Sequence, residues 1–530
     1  MPEGVPRHRT RSEREPGVSN ERPREVSAPT FRDGDGPAES EGTPLGVAVS
    51  RMAEAEPDRL AVVDGTGSAT RMELERRSNR LARAYLALGL GTGSLAMIGL
   101  PNGIPFIEAV CAVWKVGATP LPVARSLSRP ERDALIELAQ PAIVAGFDDV
   151  APGAAIVPAA FSPDPGLSDE PLPAAVASCW KAPASGGSTG RPKIVVSTVP
   201  GLLERLEPGA FVLDIRPGDV MLTTGPLYHN GPFMTTMLCL LTGGTAIVMP
   251  RFDAAMALEL IARHHVTWMY AVPTMMQRIW RLPEEVRTAH DLSSLRSLMH
   301  MAAPCPVWLK RAWIEWIGPD RVRELYGGTE GQAFTIIGGR DWLAHPGSVG
   351  RPFGEISVRD QAGAELPAGK VGRVWLRPGP ELPAPYRYIG AEAQRLEDGW
   401  ECLGDVGYVD EEGYLYLMDR DTDMILVGGA NVYPAEIEAA LDQHPQVLSS
   451  CVIGVPDDDL GSVPHALVQL RDEVTDDELR VHLAARLAPY KLPRSFERVA
   501  EPLRDDAGKV RRSHLRAERV RQGPGEVSSG

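Results

Sequence analysis

Cysteines and long apolar stretches are both scarce in this sequence. Its 530 residues include 6 cysteines, and no two of them have the CxxC spacing of a zinc site. A disulfide framework is therefore unsupported, and a reducing cytoplasm fits such scattered cysteines. No apolar run reaches the roughly 18 residues of a membrane-spanning helix, because polar residues interrupt the most apolar region, Leu95–Val123. We therefore expect a cytoplasmic protein without an integral membrane segment.

Positive charge is in the minority, with 55 lysines and arginines against 70 aspartates and glutamates. The formal net charge is -15 at pH 7, which excludes non-specific binding to nucleic acid or to anionic membranes as the main function. Residues 1–43 mix arginines with acids, prolines and glycines and contain no apolar stretch. They therefore predict a disordered tail rather than a signal peptide. The overall composition, 43% hydrophobic and 24% charged, is that of a globular protein.

Short apolar runs alternate with helix-like segments once the folded part begins near Pro44. Val220–Thr223 and Thr245–Met249, for example, are predicted strands, and Ala254–His264 is a predicted helix. This alternation predicts a largely parallel sheet covered by helices. After about Gly350 the predicted strands are short and separated by turns.

A charged stretch at Asp419–Asp423 marks the end of this region. Alternating helices and strands follow it in a compact set. We therefore predict an α/β protein whose large N-terminal domain, residues 44–419, consists of mixed sheets covered by helices. A small α+β C-terminal domain is predicted at residues 420–520, with tails at 1–43 and 521–530.

A glycine-rich segment, Ser185–Lys193, has the composition of a phosphate-binding loop. Its glycines let the backbone approach an anion closely, its hydroxyl groups add donors, and Arg191 and Lys193 add positive charge. It is not a Walker A loop, because GxxxxGK[ST] cannot be read in it. A merely flexible Gly/Ser loop is the alternative, and the fixed register of the two cations favours the phosphate site.

Further distinctive segments follow this loop along the chain. They are Pro226–Pro232, Met301–Pro304, Tyr326–Glu330, Gly404–Tyr408, Asp419–Ile425, Val427–Glu438 and Arg504–Val510. Together with the loop, these segments resemble the motifs of the adenylate-forming superfamily in content and order, from about residue 45 to residue 515. That superfamily comprises acyl-CoA synthetases, firefly luciferases and peptide-synthetase adenylation domains. The sequence is most similar to bacterial acyl-CoA ligases of the fatty-acid or bile-acid type.

The resemblance implies a nucleotide site. It assigns ATP or AMP to the following residues: Ser185, Gly186, Gly187, Ser188, Thr189, Gly190, Lys193, Ala302, Ala303, Pro304, Tyr326, Gly327, Gly328, Thr329, Asp405 and Arg420. In such a site Tyr326 can stack on adenine, and Asp405 can accept hydrogen bonds from both ribose hydroxyls. Glu330 supplies the hard oxygen ligand that suits Mg²⁺.

Catalytic and acceptor-binding residues are implied in the same way. Lys509 matches the adenylation lysine of the family, and Thr329 offers a hydroxyl to the α-phosphate. His229 is expected to border the acyl pocket and to adjust during catalysis, although an isolated histidine is more often structural. Gly428 and Gly429 are expected to help form the tunnel for the pantetheine arm of coenzyme A.

The sequence departs from the family pattern at three places. Met301–Pro304 lacks the glycine that the adenine-binding turn usually contains. Leu403 stands where many members have a threonine beside the ribose site. Thr422 occupies the hinge position that is usually lysine or aspartate, which puts the balance between two domain orientations in question.

The implied reaction has two steps. The acid attacks the α-phosphate of Mg-ATP and expels pyrophosphate, a transfer that depends on positioning and electrostatic stabilisation. The small domain, mobile in this family, then rotates, and the thiol of coenzyme A displaces AMP from the acyl-adenylate. Small residues around the expected pocket, such as Gly231 and Gly331, and the lack of a charged residue for an ammonium group predict a bulky or long apolar acid.

Three alternatives remain open at this point. The protein could perform only the thioester-forming step on a supplied acyl-adenylate. It could load a carrier protein instead of coenzyme A. It could also be a non-catalytic acyl- or nucleotide-binding relative, although the joint presence of Lys509, Glu330 and Asp405 argues against this. A homodimer is also left open.

Overall fold

The computed structural model describes residues 42–149, 153–186, 192–379, 384–457, 459–505 and 508–522. Nearly all of the predicted N-terminal tail lies outside these ranges. The same holds for Gly187, Ser188, Thr189 and Gly190 of the glycine-rich loop. Within the described ranges, no helix combines the length and the apolar character that crossing a bilayer requires.

The first third of the described chain alternates helices with short strands. Its elements are α1 (Leu45–Ala55), β1 (Leu60–Asp64), β2 (Gly67–Thr70), α2 (Arg71–Ala87), β3 (Leu95–Ile98), α3 (Ile104–Lys115), β4 (Thr119–Pro122), α4 (Arg129–Ala139), β5 (Ile143–Ala145), β6 (Ala155–Val157), β7 (Ala184–Gly186) and β8 (Pro192–Ser197).

The middle of the chain continues this alternation. Its elements are α5 (Leu203–Val212), β9 (Val220–Thr223), α6 (Asn230–Leu241), β10 (Thr245–Val248), α7 (Ala254–His264), β11 (Trp268–Ala271), α8 (Pro273–Trp280), α9 (Glu284–Arg287), β12 (Ser297–Met301), α10 (Val307–Ile317), β13 (Val322–Gly327) and β14 (Phe334–Gly338).

Strands dominate the next region, and a smaller mixed unit ends the chain. The strand-rich elements are α11 (Gly339–Ala344), β15 (Ser348–Phe353), β16 (Glu355–Arg359), β17 (Gly372–Arg377), β18 (Tyr386–Ile389), β19 (Glu401–Val409) and β20 (Leu415–Arg420). The final elements are β21 (Ile425–Val427), β22 (Ala430–Val432), α12 (Pro434–Leu441), β23 (Val447–Asp457), β24 (Gly461–Leu470), α13 (Asp476–Ala484), a 3₁₀ turn (Pro489–Lys491), β25 (Ser495–Arg498) and α14 (Arg512–Gln522).

The largest sheet has a parallel half and an antiparallel half. Its strand order is β16-β17-β19-β20-β15-β14-β13-β12-β11-β9-β10-β1-β2. The strands from β13 to β1 pair in parallel, and those from β14 to β16 pair antiparallel. A parallel four-stranded sheet (β4-β3-β5-β6) and an antiparallel one (β18-β8-β7) lie in the same large domain. The C-terminal domain has its own sheet, β22-β21-β24-β23 with β25 beside β24, and its own apolar core.

Local sequence signals explain several of these helices. Capping boxes of the S/T-x-x-E type begin α2, α4 and α13, where the side chains of Thr70, Ser128 and Thr475 accept a hydrogen bond from a backbone N–H three residues on. Gly89 follows α2 with a φ of +93°, as a terminating glycine requires. The sequence therefore specifies these helix ends without help from tertiary contacts.

The predicted α/β fold with a large N-terminal and a small C-terminal domain is confirmed. Val220–Thr223 and Ala254–His264 form the predicted strand and helix residue for residue. In the C-terminal domain β23 is long, Val447–Asp457, because it pairs with β24 over its whole length. At the C-terminus, α14 continues to Gln522, and residues 523–530 lie outside the described ranges.

Candidate active site

The carboxyl ends of four neighbouring parallel strands converge on one edge of the large sheet. These strands are β9, β11, β12 and β13, which are adjacent in that order. The segment that carries His229, the start of α8, the turn at Ala302–Pro304 and the turn at Gly328–Glu330 follow them in turn. The carboxyl edge of a parallel sheet is where ligands bind in α/β proteins. The topology thus brings together motifs that are about 100 residues apart in the sequence.

The turn after β12 has an unusual backbone. Ala302 adopts a φ of +74°, which lies in the left-handed region that favours glycine. An alanine in this conformation carries some backbone strain. Ala303 and Pro304 complete the turn beside the end of β13.

Tyr326 and Asp405 are joined at the end of β13. Tyr326 donates its hydroxyl hydrogen to Asp405 Oδ2 over 2.8 Å, and Arg420 Nε lies 3.4 Å from Asp405 Oδ1. Asp405 and Arg420 face each other on β19 and β20. Burial, followed by the Asp405 charge, raises the pKa of Tyr326 well above its ordinary value, so the phenol stays a neutral donor. The predicted nucleotide residues Tyr326, Asp405 and Arg420 therefore form one connected group.

A second group of contacts links Lys193, at the end of the glycine-rich loop, to Glu330 in the turn after β13. Lys193 Nζ donates to Glu330 Oε1 over 3.0 Å and lies 2.9 Å from the hydroxyl oxygen of Tyr388. Tyr388 also donates to Glu330 Oε1 over 2.5 Å. Burial alone would raise the pKa of Glu330, but the charge of Lys193 and these hydrogen bonds lower it. Glu330 is therefore an ionised, nearly buried carboxylate beside the cation of the glycine-rich loop.

Glu330 fits the role of a magnesium ligand that acts with the nucleotide. Among the described residues, no three histidine, cysteine, aspartate or glutamate side chains form a metal cluster. Mg²⁺ in nucleotide sites typically needs only one or two carboxylates, because substrate phosphates and water complete its coordination. Oε1 of Glu330 is occupied by Lys193 and Tyr388, whereas Oε2 points toward Gly328, where a Cβ would lie 2.7 Å away. Gly328 thus leaves room for this carboxylate.

Leu403 closes the other side of the same glycine. A Cβ on Gly328 would lie 2.5 Å from Leu403 Cδ1, so no larger residue fits there. The leucine packs with Tyr326 and Leu417 in a small apolar cluster beneath the nucleotide residues. Leu403 therefore provides apolar packing at a position where a threonine would offer a polar contact.

The loop that carries Lys509 is docked against the large domain. Gly508 has a φ of +74°, and a Cβ there would lie 2.8 Å from Thr274 Oγ1 at the start of α8. Asp505 Oδ1 accepts from the backbone N–H of Lys509 over 2.8 Å, which shapes the loop. Desolvation lowers the pKa of Lys509, and the charges of Asp505 and Glu330 oppose this effect. The lysine therefore lies within electrostatic range of Glu330.

His229 lies directly before α6, and its pKa responds to the charge of the same lysine. Burial, followed by the charge of Lys509, lowers the pKa of His229 to about 3, so the imidazole is neutral at physiological pH. Its Nε2 is buried and has no hydrogen-bond partner within the described part of the chain. A neutral ring with an open nitrogen suits a residue that borders a substrate pocket.

Gly428 and Gly429 lie elsewhere, in the tight turn between β21 and β22. Their φ values of +54° and +87° explain why glycine occupies both positions. Gly429 has no atom within 4 Å of the place where a Cβ would stand. The structure therefore keeps this turn open while the Lys509 loop is docked.

The hinge segment is held on either side of Thr422. Asp421 Oδ2 lies 2.7 Å from Arg373 Nη2 of the large domain, and Asp423 Oδ2 lies 2.9 Å from Arg512 Nη1 of the C-terminal domain. Thr422 itself is exposed between them. The ion pairs thus attach the two neighbours of Thr422 to different domains.

Sequence reasoning missed two residues near the site, Tyr388 and Lys181. Tyr388 lies on β18, which pairs with β8. More than 180 residues separate the two strands in the sequence, so no local pattern indicates that Tyr388 belongs to the site. Lys181 is 6% exposed; its ammonium bonds Asn230 Oδ1, in the first turn of α6, and lies 4.6 Å from the ring centre of Trp180. A lysine shortly before a glycine-rich loop could have been noticed, but only the structure shows that it is buried.

Lys181 gives a testable pH dependence. Burial lowers its pKa from 10.5 to about 7, with no neighbouring charge that offsets the effect. Between these two values the unfolded chain binds one more proton than the folded chain, so the free energy of unfolding rises with pH, by about 1 kcal/mol per unit. We expect Lys181→Met to be more stable than the wild type at pH 7, with a gain that shrinks as pH rises. Urea unfolding at pH 7, 8 and 9 measures how the free energy of unfolding of the wild type and of the variant changes with pH. An equal change in both proteins would contradict the lowered pKa of Lys181.

The carboxyl-edge site and the docked lysine loop define a nucleotide-dependent ligase that activates a carboxylic acid. The chain belongs to the AMP-binding enzyme family. The AMP-binding enzyme domain of that family matches residues 49–386, and the AMP-binding enzyme C-terminal domain matches residues 436–509. The suspected membership of the adenylate-forming superfamily is therefore confirmed.

Individual relatives support the same assignment. A feruloyl-CoA synthase of Amycolatopsis is 33% identical over 488 residues, which cover 89% of this chain and 98% of the relative. A fatty acid–[acyl-carrier-protein] ligase, ScoC of Streptomyces coeruleorubidus, is 30% identical over 499 residues, 88% of this chain and 94% of the relative. The structure of the Bacillus subtilis o-succinylbenzoate CoA synthetase with its acyl-adenylate intermediate aligns with a TM-score of 0.74 at 26% identity, over 88% and 97% of the two chains.

The protein is thus an ATP-dependent, AMP-forming acyl-CoA synthetase. It activates a carboxylic acid through an acyl-adenylate and transfers the acyl group to coenzyme A, with Mg²⁺ as the accompanying ion. These expectations from the sequence are confirmed.

Proposed function

We propose that the acid is bulky or long and mostly apolar, with an aryl, polycyclic or fatty acyl group. The observation that carries this is the surroundings of the first turn of α6. A Cβ on Gly231 would lie 2.9 Å from the ring of Tyr270 and 3.2 Å from Met301 Sδ, so large apolar side chains face the turn beside His229. Relatives that are a feruloyl-CoA synthase and a fatty acid ligase support a bulky or long acid, whereas the o-succinylbenzoate of a third relative carries a second carboxylate.

The glycines around the pocket need a different explanation from the one that the sequence suggested. Gly231, Gly327 and Gly328 do not by themselves leave an open space, because Tyr270, Phe334 and Leu403 occupy the positions next to them. Gly331, with no atom within 4 Å of its missing Cβ, does adjoin open space. The size of the acid therefore depends on the neighbouring aromatic and aliphatic side chains rather than on the number of glycines.

We further propose that this chain carries out both half-reactions without a partner enzyme. The loop that carries Lys509 is docked at Thr274, and the charge of this lysine influences the pKa of His229. From this loop Lys509 would bridge the attacking carboxylate and the α-phosphate. Lys193 and the glycine-rich loop would hold the leaving phosphates, and Tyr326 with Asp405 would hold the adenosine. Glu330 would hold Mg²⁺, which neutralises phosphate charge when it is bound. The residues thus act by positioning and electrostatics, without a side-chain nucleophile.

A panel of acids tests this proposal. Pyrophosphate release and acyl-CoA formation are measured separately with cinnamate-type aryl acids, fatty acids of increasing length and acetate. Each buried methylene contributes about 0.8 kcal/mol, so we expect kcat/KM to rise roughly fourfold per methylene until the pocket is full. A preference for acetate or for short polar acids would contradict the apolar assignment.

The same panel separates the alternatives. Acyl-CoA formed from free acid, Mg-ATP and coenzyme A would exclude a protein limited to the thioester step, whereas turnover only from preformed acyl-adenylate would support that alternative. Replacing coenzyme A with phosphopantetheinylated carrier proteins tests the carrier alternative. Nucleotide binding without any turnover across the panel would favour the non-catalytic alternative.

A further inference from the structure

Helix α8 contacts the C-terminal domain at both of its ends. At its start, Thr274 lies against Gly508 of the Lys509 loop. Directly after its end, Arg281 Nη1 donates to the carbonyl oxygen of Leu448 over 2.8 Å, and Nη2 donates to that of Asp442 over 3.0 Å. One short helix of the large domain and the residue that follows it therefore touch both the Lys509 loop and the α12–β23 region of the C-terminal domain.

Both acceptors of Arg281 are carbonyl groups that their own secondary structure leaves unpaired. Asp442 is the C-cap of α12, and the last carbonyls of a helix have no partner within the helix. Leu448 lies at the irregularity of β23, where the pairing with β24 shifts between Val447 and Ser449. A guanidinium carries several donors in a fixed fork, which suits two such carbonyls.

We propose that Arg281 is a positioning residue that holds the C-terminal domain in the orientation that brings Lys509 into the active site. The contact joins the two domains, so it exists only while that orientation lasts. Rotation of the C-terminal domain removes both carbonyl oxygens from the guanidinium. Arg281 therefore favours the acyl-adenylate step and has no role in the thioester step.

A series of contacts inside the C-terminal domain connects the residues that Arg281 contacts with the loop that carries Lys509. Asp442 Oδ1 accepts from the hydroxyl of Ser450 over 2.9 Å. The carbonyl of Ser450 accepts from Arg504 Nη2 over 3.1 Å, and Arg504 Nη1 donates to the carbonyl of Gly508 over 3.3 Å. The residue before Lys509 is thus tied to the element that Arg281 holds.

Electrostatics agrees with an interface that is partly shielded from water. Burial lowers the pKa of Arg281, and the charge of Asp442 opposes this effect. The pKa of Asp442 is raised by burial to about 6, and the charges of Arg504 and Arg281 act in the opposite direction. Loss of the guanidinium would therefore leave two carbonyl groups and one carboxylate with fewer partners in this orientation.

The test measures the two half-reactions separately in Arg281→Met, which keeps most of the aliphatic stem. We expect acyl-adenylate formation, followed as pyrophosphate release without coenzyme A, to fall about tenfold because the docked orientation is less populated. Thioester formation from preformed acyl-adenylate should be unchanged or faster. Arg281→Lys should lie between Met and wild type, since one ammonium can reach one of the carbonyl oxygens.

A matched control lies on the same helix. Arg278 is exposed and makes no hydrogen bond or ion pair with the rest of the described chain, so Arg278→Met should leave both half-reactions unchanged. Unaltered adenylation in Arg281→Met, or equal losses in both steps with an unchanged melting temperature, would overturn the proposal. If the Met variant does not fold, the Lys variant decides by the same criteria.

The inference rests on the proposed role of Lys509, and the two can fail separately. If Lys509→Ala leaves adenylation intact, the proposed mechanism is wrong, whatever Arg281 does. If Lys509→Ala abolishes adenylation while both Arg281 variants behave like the wild type, only the positioning role is wrong.

Discussion

Replacing Lys509 with alanine is expected to lower the rate of acyl-adenylate formation by about 10²–10³, the typical loss for one preorganised electrostatic contact. Lys509 follows Gly508 on a loop that Asp505 shapes and Thr274 supports, and its charge influences the pKa of His229. The loss should therefore fall on kcat for adenylation, because the contact forms with the developing charge at the α-phosphate.

The second half-reaction serves as the internal control for this variant. Conversion of preformed acyl-adenylate to acyl-CoA should remain close to wild type, since it uses the other domain orientation. Lys491, which pairs with Glu436 on the same domain, offers a matched lysine whose replacement should leave adenylation near wild type. Equal damage to both half-reactions in Lys509→Ala would mean that the lysine has a structural role instead.

Glu330→Gln is expected to lower adenylation by roughly 10²-fold and to raise the Mg²⁺ concentration that half-saturates it. The variant keeps the shape of the side chain but removes the charge that pairs with Lys193 and the ligand oxygen that suits the metal. The pKa of Glu330 lies below its ordinary value, so the wild-type carboxylate stays ionised at neutral pH. The effect of the variant should therefore be the same from pH 7 to pH 9.

Tyr388→Phe separates the charge of Glu330 from its hydrogen bonding. It removes the hydrogen bond to Glu330 Oε1 but leaves the carboxylate and Lys193 in place. Since Lys193 still pairs with the carboxylate in this variant, we expect a loss of adenylation smaller than in Glu330→Gln and an unchanged Mg²⁺ titration. If Glu330→Gln also leaves the Mg²⁺ titration unchanged, the metal assignment is wrong.

The departures from the family pattern have local structural consequences. Ala302 adopts the left-handed conformation of the usual glycine, and Leu403 packs against Gly328 where a polar residue is common. Thr422 is exposed between two ion pairs that anchor its neighbours to different domains. None of these changes breaks the contacts among the predicted nucleotide residues. This supports the proposal that the chain carries out both steps.

The sequence by itself determined where several helices and strands form. Hydrophobic periodicity located Val220–Thr223 and Ala254–His264 to the residue, and the S/T-x-x-E capping boxes are local signals of the same kind. The candidate residues Tyr326, Glu330 and Lys509 could also be selected, because the segments that contain them resemble the family motifs in content and order.

Contacts between distant segments were decided by the tertiary structure alone. Tyr388 reaches Lys193 and Glu330 because β18 pairs with β8, and burial turns Lys181 from an ordinary lysine into one with a pKa of about 7. Arg281 donates to two backbone carbonyl groups, one at the end of α12 and one at the irregularity of β23, and only the fold brings these three groups together. A local pattern specifies periodicity and turn chemistry, whereas desolvation and cross-chain pairing depend on which surfaces the completed fold brings together.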